Sequence, residues 1–211
     1  MKDSNKNKLE LRMYGMVLYS LSDMQKGIQF GHATDVYGRM YGDTNIDTLN
    51  NVMSMFKLQS DHSTNCNGYR ALCKMIEDAG DNQYVEWRDV WMTYIILSGG
   101  TSNHSLATPG TLQMYMKLLN QLGVRVATFH EPDLNDTMTA LAFLVDERVF
   151  DDKKYPSPVW MKDFKVDMLG SPEIDFGNYI LPPFEDKSEI DAIGGTKNFM
   201  LRYMLKGMRL A

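Results

Sequence analysis

Four strand-length apolar runs, separated by helical or loop chemistry, constrain this chain more than any other feature of it. Residues 12–19 (RMYGMVLY), 91–97 (WMTYIIL), 124–130 and 137–145 are short and apolar, the pattern of buried strands. The first run leads directly into Ser22-Asp23-Met24-Gln25, a Ser-x-x-Gln capping box that predicts a helix through about residue 39. Ile28, His32, Val36 and Met40 recur every four residues and are expected to form its inward stripe. Gly27, Gly31 and Gly38 each cost roughly 1 kcal/mol relative to alanine inside a helix. Their presence predicts close backbone approach. A second helix is expected over 111–122, with Leu112, Tyr115, Leu118, Leu119 and Leu122 inward and Gly123 as its stop.

Between these elements the signals are weaker. Leu49, Val52, Met53 and Phe56 fit a short helix, and Leu72, Cys73 and Ile76 a second one ending at Gly80, with loop chemistry at 60–65. The order β-α-(α-α)-β-α-β-β predicts an α/β fold, a three-layer sandwich around a four-stranded mixed sheet that is mostly parallel. The six-residue connection 131–136 predicts one antiparallel edge.

The core occupies residues 1–150 in this reading, and 151–211 form an extension. Pro156, Pro158, Pro172, Pro182 and Pro183 alternate there with Trp160, Phe164 and Tyr179, which suggests an ordered arm. A closing helix over 196–210 carries Lys197, Arg202, Lys206 and Arg209 and no acid. Arg202, Lys206 and Arg209 line up as a basic stripe with a solvated face. Met200, Met204 and Met208 form a second stripe, where part of the unusual total of 17 methionines is expected to contact either the core or a partner.

Composition narrows the function classes. A net charge of −5 over 211 residues argues against a generic nucleic-acid coat. Two cysteines, Cys66 and Cys73, cannot form a disulfide framework. The polar start lacks an apolar segment behind it, and no apolar run approaches the roughly 20 residues of a bilayer span. The expectation is a cytoplasmic protein (host cytoplasm if viral) without membrane contact. His130-Glu131-x-Asp133 with His32, and His62 with Cys66 and Cys73, lack the spacing of a metal motif. No metal and no cofactor are expected.

The chemistry-bearing segment is Gln25-Lys26-Gly27-Ile28-Gln29-Phe30-Gly31-His32-Ala33, which opens a helix directly after a strand. In α/β sheets, ligands bind at such strand ends. The segment resembles the Gly-Lys-x-x-Ala-Gln-x-x-His-Ala-like motif of the class 2 peptidyl-tRNA hydrolases, with Gln29-x-x-His32-Ala33 in register. The layout of residues 12–148 is similar to that family. The whole chain, with Ile193-Gly194-Gly195 and its basic closing helix, looks more like larger phage-encoded relatives of uncharacterised role. In this register the family's lysine position holds Gln25, and the lysine follows at Lys26, about 100° further around a helix. The family's Asp-Ala-Gly-x-Thr loop is replaced by residues 131–136, with Asp133 and Thr139 as stand-ins.

The resemblance implies an esterase acting on peptidyl- or aminoacyl-tRNA. Lys26, Asp133 and Thr139 would be its catalytic groups. Gln25, Gln29, His32, Gly99 and Gly100 would be its substrate contacts, the two glycines from a loop that can offer backbone N–H groups to phosphate. The tRNA acceptor end is then the expected partner. The alternative expectation is a catalytically inactive binding or assembly protein on the same fold, meeting a protein partner through the C-terminal helix or a second copy of itself.

Overall fold

In a computed structural model, residues 8–42, 83–103, 108–158 and 187–211 are described. The helices expected around Leu49 and Leu72, and the arm from Trp160 to Pro183, lie outside those residues. Among the described residues the chain is mixed α/β, with one four-stranded open sheet ordered β2-β1-β4-β3. The strands are β1 (Leu11–Leu18), β2 (Thr93–Gly100), β3 (Val126–Glu131) and β4 (Thr137–Asp146). The helices are α1 (Asp23–Tyr41), α2 (Gln83–Glu86), α3 (Thr111–Gln121), α4 (Glu147–Phe150), α5 (Lys187–Ala192) and α6 (Thr196–Lys206).

β1 runs parallel to β2, whereas β4 is antiparallel to both β1 and β3. The expected antiparallel strand is therefore real but interior, between β1 and β3, so two of the three described pairings are antiparallel. The C-terminal ends of β1, β2 and β3 and the start of β4 consequently share one end of the sheet. Trp91 belongs to a π-helical turn, Trp87–Trp91, and not to the second strand; that turn ends on left-handed Met92 (φ 47°). Ser98–Gly100, expected in a loop, complete β2 instead.

Strand alternation sends side chains to two cores. Tyr14 and Met16 of β1 join Leu141, Phe143 and Val145 of β4 beneath α3 and α6, with Leu112, Leu119 and Leu201 among their neighbours. Met13 and Val17 join Ala140, Ala142 and Leu144 beneath α1, with Phe30, Ala33, Tyr37 and Trp87. Helices thus cover both faces. Among the described residues five methionines (13, 16, 138, 200 and 204) are buried, so part of the methionine excess fills this chain's own core.

α1 does not pack through the expected stripe. Its buried residues are Gln29, Phe30, Ala33, Thr34, Tyr37 and Gly38. Ile28, His32 and Met40 are exposed and Val36 is half-buried. A strict four-residue repeat advances about 400° and so drifts around the helix. The true face mixes polar groups that find partners, such as Thr34, whose Oγ1 donates to Phe30 O at 3.0 Å. The glycines also divide. A Cβ on Gly38 would lie 2.5 Å from the Tyr84 hydroxyl, whereas Gly27 and Gly31 face open space. Close docking is instead permitted from the strand side: a Cβ on Gly15 of β1 would fall 2.1 Å from the Phe30 ring.

α6 stops at Lys206, with Gly207 as its cap. The last residues extend along the outer edge of β2, where Ser98 N donates to Arg209 O (2.9 Å) and Ala211 N to Ile96 O (3.0 Å). That covers part of an otherwise open strand edge. The expected solvated basic stripe is broken by Arg202, which is only 4% exposed. Its guanidinium donates to Arg148 O (2.7 Å), Asp152 Oδ1 (2.9 Å), Ser157 Oγ (2.8 Å) and Tyr155 O (2.7 Å). Met200 and Met204 are buried, and Met208 packs on the core beside α3. No helix among the described residues is long and apolar enough to cross a membrane.

Candidate functional site

The sheet end shared by three strand C-termini and the start of β4 carries the residues singled out in the sequence. Ser22 caps α1 as expected: Gln25 N donates to Ser22 Oγ, and Ser22 N donates to Gln25 Oε1 at 3.0 Å. The Gln25 side chain is therefore held in the cap. Lys26 lies one turn before Phe30, on the inward side of α1. Its side chain is 16% exposed, and Nζ reaches Asp23 Oδ1 at 3.2 Å, a carboxylate that is itself 96% exposed.

Gln29 is buried and joins three elements. Its Nε2 donates to Glu131 Oε2 at the end of β3 (2.5 Å), and its Oε1 accepts from Thr139 Oγ1 of β4 (2.7 Å). Thr139 reaches α1 because of an irregularity in the ladder. His130 pairs with Met138 and Phe129 with Ala140, leaving Thr139 as the extra residue of a β-bulge. The bulge re-aims its hydroxyl toward α1, the face that Ala140 also occupies.

His32, one turn beyond Ile28, is exposed and stacks on the Phe129 ring at 4.6 Å between centroids. Asp133 lies in the 3₁₀ turn Pro132–Leu134 and is exposed; its carboxylate makes no hydrogen bond or ion pair with another described residue. Asn135 and Asp136 both adopt positive φ (53° and 57°), which folds the connection back tightly. His130 Nδ1 lies 3.0 Å from Asp136 O across that turn. The structure thus brings Gln29 and Thr139 into contact, with Lys26 on the same helix face, and leaves Asp133 outward.

Gly99 and Gly100 are built into the docking of α3. Gly99 is the extra residue of a bulge between β1 and β2, and a Cβ there would lie 2.4 Å from Leu112 Cδ1 and 3.2 Å from Val17 O. Gly100 has φ +78°, with Thr111 Oγ1 2.1 Å from where its Cβ would be. Thr111 Oγ1 donates to Gly99 O and accepts from Thr101 N, each at 2.8 Å. The loop's first N–H group after the glycines is therefore already satisfied within the chain.

No family model, curated protein or solved structure matches this chain.

Glu131 is the residue that sequence reasoning undervalued, weighing it only as a metal ligand beside His130. Its signal in the sequence is its place as the acidic end of an apolar strand, at the start of the 131–136 connection. One carboxylate oxygen is held by Gln29, which leaves the other to accept from a water or a ligand hydroxyl. Lys26 keeps donors beyond the one given to Asp23. An exposed pair of that kind contributes no more than about 1 kcal/mol, so an anionic ligand competes for the ammonium easily. Among the described residues no group of His, Cys, Asp and Glu could hold a metal ion; His62, Cys66 and Cys73 lie outside them.

Proposed function

We propose that this chain is a peptidyl-tRNA hydrolase-like esterase, acting on the bond between an acyl group and the terminal ribose of tRNA. The observation that carries the reading is the Gln29–Thr139 hydrogen bond. The two residues, singled out by resemblance alone, are 110 positions apart and meet at the sheet end where α/β folds bind ligands. In this reading Gln29 and Thr139 hold Glu131 and a water in place, while Lys26 contacts the acceptor-end phosphate or the developing oxyanion. Water adds to the ester carbonyl and its proton passes to Glu131. Collapse then breaks the acyl–oxygen bond, and the departing ribose oxygen takes that proton back. Asp133, on the adjacent turn, is placed to approach substrate from outside. The class 2 peptidyl-tRNA hydrolase fold belongs to the same proposal.

The test is release of the acyl group from N-acetyl-aminoacyl-tRNA by the purified full chain. Wild type is expected to turn over, with Glu131→Gln slower by about 10²-fold or more, the scale of a lost general base. Absence of release with enzyme in excess over substrate sinks the reading. Full rate in Glu131→Gln sinks the role given to that residue.

One observation favours the second reading, a binding protein on the same fold. Gln29 spends both ends of its amide within the chain, on Glu131 and Thr139. Retention of tRNA without acyl release, at a level that falls in Lys26→Ala, is the outcome that selects it.

A further inference from the structure

His32 enters the esterase reading only as an unspecified substrate contact, and its surroundings give it a particular one. Its imidazole lies over the Phe129 ring, with centroids 4.6 Å apart and planes 25° from parallel. His32 is exposed and Phe129 half-buried. β3, which carries Phe129, ends the sheet order, so no further described strand lies beyond it. The stacked pair therefore stands at the flank of the sheet, with the imidazole open to solvent.

α1 crosses β3 through two neighbouring pairs. Gln29 meets Glu131, and His32, one turn later on α1, meets Phe129, two residues earlier on β3. Helix side chains three apart are neighbours at about 5–6 Å. Strand residues two apart share a face at about 6–7 Å. The pairs are thus adjacent rungs, one polar and one aromatic. The polar rung is enclosed, with Gln29 only 7% exposed, whereas the aromatic rung is open. Such a step matches the span between a base and its own ribose. A base laid on the imidazole puts its ribose beside Glu131, the group that the esterase reading makes the base of the reaction.

The chemistry of the pair suits an unpaired base. Single-stranded RNA is held by stacking its bases on aromatic side chains, histidine among them. Every base has a π-face, and stacking does not require a basic surface. That fits a chain of net charge −5. The platform is also fixed in advance. Buried Phe30 and Ala33 anchor the turn of α1 that carries His32. Phe129 pairs with Ala140 in the ladder, and its carbonyl oxygen lies 3.5 Å from Thr139 Oγ1. Little ordering is left for binding to impose.

We propose that His32, backed by Phe129, is the stacking platform for the unpaired terminal adenine of the RNA acceptor end, the base whose ribose carries the ester. The platform rests on the esterase reading for its substrate class and names the part of the substrate that is gripped. Fluorescence titration of the full chain tests it, with a non-acylated acceptor-stem RNA hairpin whose 3′-terminal base is 2-aminopurine, an adenine analogue that dims when stacked. Binding is expected to quench the terminal analogue, and to change its signal less when it is moved to the penultimate position. His32 is exposed, so variants there are expected to fold, which urea unfolding checks. His32→Ala is expected to lose the quenching and weaken binding about tenfold, the scale of one stacked base. His32→Phe keeps a ring and is expected to retain both. Four outcomes overturn the proposal: no quenching by wild type, equal quenching at the two positions, wild-type quenching in His32→Ala, or a loss in His32→Phe as large as in His32→Ala. Acyl release without quenching sinks the platform and spares the esterase; quenching without release does the reverse.

Discussion

Thr139 Oγ1 donates to Gln29 Oε1 at 2.7 Å, tying the middle sheet strand β4 to the first helix. Both residues are buried. Thr139→Val keeps the shape but leaves the Gln29 oxygen without its donor, at a cost of about 1–3 kcal/mol. Gln29→Leu frees the Glu131 carboxylate and the Thr139 hydroxyl together. In a double-mutant cycle read by urea unfolding, the pair is expected to couple by at least about 0.5 kcal/mol. Additive losses would mean that the contact contributes nothing of its own.

Local chemistry was legible in the sequence; partnered polar burial was not. The Ser22–Gln25 cap involves neighbours only, and it forms as expected. The four strands are legible because apolar runs of that length have few other uses, although their ends differ from the expected ones by up to three residues. The face of α1 was misplaced because Gln29, Thr34 and Gly38 carry no hydrophobic signal. Gln29 is buried only because residues a hundred positions away satisfy it. Arg202 misled for the same reason: a lysine-like spacing on a helix reads as surface until Arg148 O and Tyr155 O are seen to accept its protons. The bulge at Thr139 follows from how β3 and β4 pair, which no single segment encodes.

The glycines separate into two kinds with opposite expected responses. Gly31→Ala adds a methyl group to open helix surface and is expected to stabilise by about 0.5–1 kcal/mol. Gly99→Ala would press on Leu112, Met16 and the Val17 carbonyl, and is expected to destabilise by about 1–3 kcal/mol. Thermal unfolding of the two variants side by side checks the pair, and a destabilised Gly31→Ala would contradict the open face assigned to it.

Arg202 pins the 151–158 turn to α6, and burial presses its guanidinium pKa downward. Arg202→Met removes the donor shared by two backbone carbonyls, Asp152 and Ser157. The expected loss is about 3 kcal/mol, the low end for a broken buried pair because Asp152 can rehydrate. Asp152→Asn, at an acid whose side chain is 69% exposed, is expected to cost less than about 1 kcal/mol. Denaturant unfolding distinguishes them. Equal losses would place the stabilisation in the ion pair rather than in the carbonyl contacts.

The same turn makes stability depend on pH at both extremes. Burial of Glu147 favours its protonated form, but hydrogen bonds from Lys154 (2.5 Å) and Tyr155 (2.8 Å), with the Lys154 charge, outweigh burial and hold its pKa below the ordinary carboxylate value. With the folded value the lower one, the unfolded chain takes up the proton first as pH falls. The contribution is therefore complete above about pH 5 and is lost as acid carries the pH through the unfolded value near 4 and on through the folded one. Tyr155 has the opposite sign. Its hydrogen bond to Glu147, with some burial, raises its pKa, so its contribution is complete below about pH 10 and lost as pH rises through the raised value. Glu147→Gln is expected to flatten the acid limb of a stability-against-pH curve and to shrink the alkaline limb with it. Tyr155→Phe removes the alkaline contribution and retains part of the acid one, because Lys154 still pairs with Glu147. An acid limb unchanged in Glu147→Gln would show that other carboxylates carry it, and would detach this cluster from the fold's acid stability.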